Sequence, residues 1–163
     1  SVDVASLKAE FQYQYQKENG FRFKDKVFAK STRYNKLFSK GPKTHNFLQQ
    51  NVVSSFLIKK VLGIHQNRSL PRITKSFKFK YAGKSKSLGS IKTVYLFVDE
   101  FLNYLESEIA LDAVILLEAL NYEVIPVHHL ESSRSYISKG FLEEAQNISK
   151  KNISYFKDKI SEL

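Results

Sequence analysis

Apolar residues recur three or four positions apart through the first 62 residues, then gather into short, nearly continuous runs after residue 92. The pattern predicts helices first and an alternating strand–helix order afterwards. Asp3 is placed to cap a first helix whose apolar face carries Val4, Leu7, Phe11 and Tyr15, and Asn19-Gly20 supplies a left-handed stop. A second helix is expected over 24–39, with Val27, Tyr34 and Phe38 on one stripe and lysines around the rest, broken by Gly41-Pro42. A third covers 44–62, with Leu48, Val52, Phe56 and the Val61-Leu62 pair inward, and Gly63 closes it.

Residues 64–91 lose this periodicity. Pro71, Gly83, Gly89, several serines and five lysines read as a strap or linker, with Phe77, Phe79 and Tyr81 alternating as in a short edge strand. Order resumes at 93–98, a β-branched and aromatic run suited to a strand buried on both faces. An acid-rich loop over 99–106 leads to a helix at 108–120 with Ile109, Ala113, Leu116 or Leu117, and Leu120 on its apolar face. Asn121 can take a left-handed exit, 122–127 reads as a second strand, and a long helix follows over 141–160. Strand, helix, strand, helix is a βαβα unit with a small parallel sheet and a right-handed crossover. The fold class is α/β: a basic helical region at 1–63, a linker at 64–91 and an α/β module at 92–163.

Composition changes the picture in three ways. The apolar fraction of 42%, with 13 Phe and 9 Tyr, can fill a core, and no run is long enough to span a membrane. Cysteine is absent, which excludes disulfides, thiolate clusters and Cys-based zinc sites; methionine is absent too, as expected of a piece of a longer protein. The net charge of +10 is divided: residues 1–92 carry 20 Lys/Arg against four acids, a formal +16, and residues 93–163 carry six against twelve, a formal −6. Such asymmetry marks two surroundings for the two halves.

Candidate chemistry is sparse. Asp99, Glu100, Glu106 and Glu108 crowd the carboxyl end of the first strand, where open α/β sheets place ligands, although acids also favour a helix N-terminus through its dipole. Ser132, Ser133, Arg134 and Ser135 stand between the second strand and a helix, an arrangement that suits an anion or simply caps the helix. His128 and His129 adjoin and would point to opposite faces of a strand, so they read as polar residues at a strand end rather than a metal site. No Ser-His-Asp order or phosphate-loop pattern is present, and catalysis by this chain alone is not expected.

Two separated stretches carry a family likeness. Residues 2–11, Val-Asp-Val-Ala-Ser-Leu-Lys-Ala-Glu-Phe, resemble the segment after the last cluster-binding cysteine of the ferredoxin-like part in fusion oxidoreductases. Those proteins join an FAD-linked oxidase domain of the D-lactate dehydrogenase/glycolate oxidase type to an iron–sulfur half. Residues 96–104, the 108–124 helix and strand, and residues 131–140, Glu-Ser-Ser-Arg-Ser-Tyr-Ile-Ser-Lys-Gly, resemble the cysteine-rich CCG module that follows. The resemblance covers 1–18 and 92–163. It implies that Glu100 stands where a cysteine follows the first strand, that Glu131 and Ser132 replace the cysteine pair, and that Ser133 replaces the motif glycine, while Arg134 and the Ile137–Gly140 tail persist. Clusters need soft thiolates at such positions, so the expectation is a degenerate module with no cofactor of its own, FAD and iron–sulfur clusters belonging to the rest of the parent.

The resemblance further implies a cytoplasmic protein that can lie peripheral to the inner membrane, with other domains of the same parent as partners. For the basic half, the lysines interleaved with Phe and Tyr at 21–26 and 75–84 leave open a nucleic-acid grip, an acidic partner domain or anionic headgroups. No nucleic-acid motif accompanies them, and nucleic acid is the less favoured alternative. A general protein-interaction role and a dimer through exposed helical faces stay open as well.

Overall fold

The computed structural model describes residues 3–81, 92–127 and 129–160, so the expectations on Gly83, Gly89 and His128 lie outside the described residues. The elements run α1 (Val4–Asn19), α2 (Phe23–Ala29), α3 (Ser31–Phe38), α4 (Pro42–Gln50), α5 (Val52–Leu62), α6 (Phe77–Tyr81), β1 (Lys92–Leu96), α7 (Glu100–Tyr104), α8 (Ser107–Ala119), β2 (Tyr122–Pro126), α9 (Arg134–Ile137) and α10 (Leu142–Ile160). The chain is mostly helical with a two-stranded parallel sheet, β1 beside β2, in the register Val94↔Val124 and Leu96↔Pro126. The α/β class and the basic helical region followed by a βαβα order are as the sequence predicts.

Two compact units form, Ser1–Arg33 with His129–Leu163, and Tyr34–His128. They cut across the linear segments, because α1 and α2 belong with α9 and α10, the division falls within α3, and α4 to α8 belong with the sheet.

In the first unit, Ala29, Tyr136, Phe141 and Ala145 form the core, with Phe21 and Ile148 against it. Phe21 and Phe141 rings lie 4.5 Å apart. Asp3 caps α1 by accepting from the Ala5 and Ser6 amides at 3.1 Å, and the Ser6 hydroxyl and amide hold its carboxyl below the usual aspartate range. The turn from α9 to α10 passes over α1 at Gly140, whose φ is +71. A Cβ there would stand 2.9 Å from the Tyr13 amide nitrogen and 3.0 Å from the Gln12 carbonyl carbon, so only glycine admits this approach. Beside it the Tyr13 hydroxyl donates to Glu143, and this carboxylate raises the Tyr13 pKa. Buried Asp25 accepts from Arg22 at 2.7 Å and faces Lys139 at 3.8 Å.

In the second unit, Phe77, Val98, Ala110, Leu111, Val114 and Val124 make one core between the sheet and its helices. The described part of the 64–91 stretch is tied down at two points. Asn46 donates to the Ile73 carbonyl at 2.8 Å and accepts from its amide at 2.9 Å. Thr74 donates its amide to Tyr104 O at 2.7 Å, and its hydroxyl lies 2.8 Å from that of Ser107.

Several local expectations are corrected. Phe77, Phe79 and Tyr81 lie on a helix rather than an edge strand: Phe77 and Tyr81 stack at 5.3 Å, the Tyr81 hydroxyl donates to Val124 O at 3.0 Å, and Phe79 is left exposed. The predicted 99–106 loop contains α7, capped by Asp99 through the amides of Phe101 and Leu102. The predicted 44–62 helix is two, because Asn51 turns extended and caps α5 through Val53 and Ser54. The predicted 24–39 helix also breaks, at Lys30. β1 is not buried on both faces: Val94 and Leu96 turn toward the core while Tyr95 and Ile125 remain partly exposed, since helices cover one side of the sheet. The α1 stripe of Val4, Leu7, Phe11 and Tyr15 is exposed, and Ala9 and Gln16 are buried instead. Leu48, Val52, Phe56 and Val61 are likewise exposed, as are Leu120 and, in α8, Ile109 and Leu116, while α8 buries Ala110, Leu111 and Val114.

Gly140→Ala should therefore lower stability by about 3 kcal/mol, from left-handed strain together with backbone overlap. Gly41→Ala, where a Cβ meets open space and φ is negative, should stay within about 0.5 kcal/mol. Denaturant midpoints of the two variants check the contrast.

Candidate functional site

The two sets of predicted site residues fall in different units and are built separately. In the second unit, Asp99 ends the segment after β1 and serves as the α7 cap, and Glu100 is buried in the first turn of that helix. Glu106 is the residue before α8, and Glu108 lies in its first turn, paired with Lys80. All four acids thus stand at helix N-termini, where the dipole favours them: Asp99 and Glu106 at cap positions, Glu100 and Glu108 in first turns. Among the described residues, no three His, Asp or Glu side chains gather as a metal site.

In the first unit, Glu131, Ser132, Ser133, Arg134 and Ser135 form a tight turn into α9. Ser133 takes a left-handed conformation, φ 69, and its carbonyl accepts from the amides of Tyr136 and Ile137 at 3.0 Å each. Arg134 Nε donates to Ser132 Oγ at 3.2 Å, and the Ser133 hydroxyl lies 3.4 Å from that of Ser149. Buried Asn152 grips the approach to the turn: its Oδ1 accepts from the Leu130 amide at 2.8 Å, and its Nδ2 donates to Glu131 O at 2.9 Å. The Tyr136 hydroxyl donates to the Glu131 carboxylate; burial first, then that neighbouring charge and hydrogen bond, push its pKa up to about 12.

The donor set does not fit an iron–sulfur cluster. Glu131 offers a carboxylate already accepting from Tyr136, and Ser132 a hydroxyl already accepting from Arg134. Both are hard oxygen donors where a cluster requires soft thiolates. The serines and Arg134 do come together as the sequence suggests, in a turn whose α9 amides bond to its own carbonyl.

Sequence reasoning missed Asn152, Ser149 and Tyr136 as the braces of this turn. A signal existed: Asn152 continues the stripe of Phe141, Ala145 and Ile148 along α10, and a polar residue on an apolar stripe needs a buried partner. Comparison with family models, curated proteins and solved structures finds no match to this chain.

The pH consequence has a definite sign. The folded unit keeps the Tyr136 proton up to about 12, whereas an unfolded tyrosine releases it at its ordinary 10.0, so this contribution is complete below pH 10 and is lost as pH rises toward 12. Tyr136→Phe should remove both that loss and one late-titrating phenol from the tyrosinate absorbance. Asn152→Ala should destabilise the chain by about 2–4 kcal/mol by orphaning a buried amide and carbonyl, read from the denaturant midpoint.

Proposed function

We propose that this chain is an internal segment of an FAD- and iron–sulfur-containing oxidoreductase that oxidises a 2-hydroxy acid, and that it serves there as a structural module without a cluster of its own. The observation that carries this reading is the closure of the first unit. The stretch at 1–18 and the 131–140 motif each resemble the same parent family, and Gly140 of that motif seats directly on the α1 backbone at Gln12 and Tyr13. Two segments that separately resemble successive parts of one parent, found in mutual contact, support common inheritance from it. Ser133 adds a second support, since its left-handed backbone is the conformation that favours the glycine expected at that position.

In this reading Glu131 and Ser132 occupy former ligand positions, and hydrogen bonds to Tyr136, Arg134 and Asn152 hold the turn in place of metal–sulfur bonds. Glu100 is a third former ligand position, buried in α7. The module spaces the electron-carrying domains of its parent, which would be a cytoplasmic protein lying peripheral to the inner membrane. Oxidation of substrate and transfer of electrons occur on groups held elsewhere in that protein.

Anaerobic reconstitution of the chain with iron and sulfide, followed by iron analysis, tests the proposal: well under one iron per chain is expected, and stoichiometric bound iron overturns the loss of the site. The parent's reading frame gives the second arm. Ferredoxin-type cysteine spacing before Ser1 and a CCG motif after Leu163 are expected, and their absence overturns the family.

A further inference from the structure

Residues 26–98 contain sixteen Lys and Arg and no Asp or Glu. Within the second unit this acid-free stretch builds the α4–α5 hairpin, and the hairpin carries an unusual amount of exposed apolar surface. Phe47 is 69% exposed, Val52 83%, Val53 68% and Val61 65%, with Leu48 and Phe56 also open to solvent. Asn51 fixes the bend between the helices by ending α4 and capping α5. Lys59 and Lys60 occupy the last turn of α5, where the helix dipole favours cations. Lys60 lies 5.9 Å from the centre of the Phe56 ring, and Lys59 donates to Gln66 O at 2.8 Å. Apolar side chains and ammonium groups therefore share one short hairpin with no carboxylate among them.

We propose that the α4–α5 hairpin docks on the surface of an anionic lipid bilayer, with its apolar side chains in the headgroup boundary and its lysines against lipid phosphates. Stable peripheral binding needs two signals, apolar insertion and charge attraction, and the hairpin supplies both. Its cations also favour lipid over an acidic protein. All three cations of the hairpin, Lys43, Lys59 and Lys60, are lysine, a residue depleted from protein interfaces, which draw on Arg and aromatic anchors, and abundant on helices that lie in the membrane plane. Lysine stems can follow apolar surface inward while their charges remain at the headgroups. A second copy of the hairpin is opposed by the like charge of Lys43, Lys59 and Lys60. Among the described residues no helix is long and apolar enough to cross a membrane, so the contact is peripheral. This surface is independent of the parent enzyme's chemistry and of the fate of its clusters.

Flotation of the 163-residue chain with vesicles tests the proposal, using phosphatidylcholine alone and phosphatidylcholine with about 30% phosphatidylglycerol. Binding to the anionic vesicles, weakened by salt and nearly absent on the neutral ones, is expected. Lys59→Gln with Lys60→Gln should weaken it roughly thirtyfold, from two headgroup cations removed. Val52→Ser with Phe56→Ser should weaken it at least about tenfold; both are exposed, so circular dichroism should show the fold intact. No binding to anionic vesicles overturns the proposal, as does binding that survives either pair of substitutions. Retention on immobilised polyglutamate or a short DNA duplex without vesicle binding would assign the face to another class of partner and equally overturn it.

Discussion

A missing side chain governs the first unit. At Gly140 the chain turns left-handed between α9 and α10 and passes within one methyl group's reach of the α1 backbone. That approach brings together residues about 130 positions apart, as the Tyr13–Glu143 bond records. It also places Lys139 beside Asp25 and over the Phe28 ring at 5.0 Å, so the neighbour of the glycine neutralises a carboxylate that is otherwise 2% exposed. A lone buried carboxylate would be strongly destabilising; here Arg22 and Lys139 both face it. The core of Ala29, Tyr136, Phe141 and Ala145 needs the same closure, since its members come from both ends of the sequence.

Once the ends are joined, the intervening chain must satisfy itself, and the second unit does so under a different constraint. Two parallel strands alone are marginal in water. Phe77 and Tyr81 on α6 supply cover for the sheet beside α8, and Thr74 fixes where α6 begins by bonding to Tyr104 and Ser107. The described part of the stretch that looked like a linker, up to Tyr81, is thus part of the wall of a core. Its poor periodicity is a consequence: residues 70–76 are held by side chain to backbone hydrogen bonds from Asn46 and Thr74 rather than by a repeating apolar face.

What was legible in the sequence was local. Asp3, Gly63 and Asn121 announce helix ends because capping and left-handed exits depend on one or two residues, and all three behave as read. The strand–helix–strand order after residue 92 was equally plain from its apolar runs. Asn51 was not, because an asparagine inside a long apolar pattern is indistinguishable from a tolerated polar residue until its extended backbone is seen. Periodicity shows which residues share a face of a helix but not which face is packed. On α1 the small face at Ala9 meets the rest of the unit, and the large stripe from Val4 to Tyr15 does not. The site divides along the same line. Glu131 to Ser135 could be read as one turn, whereas its braces, Ser149 and Asn152, lie a helix away in sequence and join it only through folding.

Those braces bear on what the turn can be. Where metal–ligand bonds hold a loop, loss of the ligands should release it. Here an amide side chain on α10 grips the backbone on both sides of the Leu130–Glu131 link, and a phenol ties the Glu131 carboxylate to the start of α9. The buried backbone groups that Asn152 satisfies fix a unique path at low local dielectric, although one oxygen of the Glu131 carboxylate is buried without a hydrogen-bond partner. The turn is therefore held by hydrogen bonds of the chain's own residues. Charge in the second unit follows the opposite logic. Its acids begin only at Asp99, and within it the described acid-free stretch is paired across to them by Lys80–Glu108. The lysines near the ends of the α4–α5 hairpin lie among residues that carry no countercharge in sequence, and the field of such exposed charges extends about one Debye length into solvent.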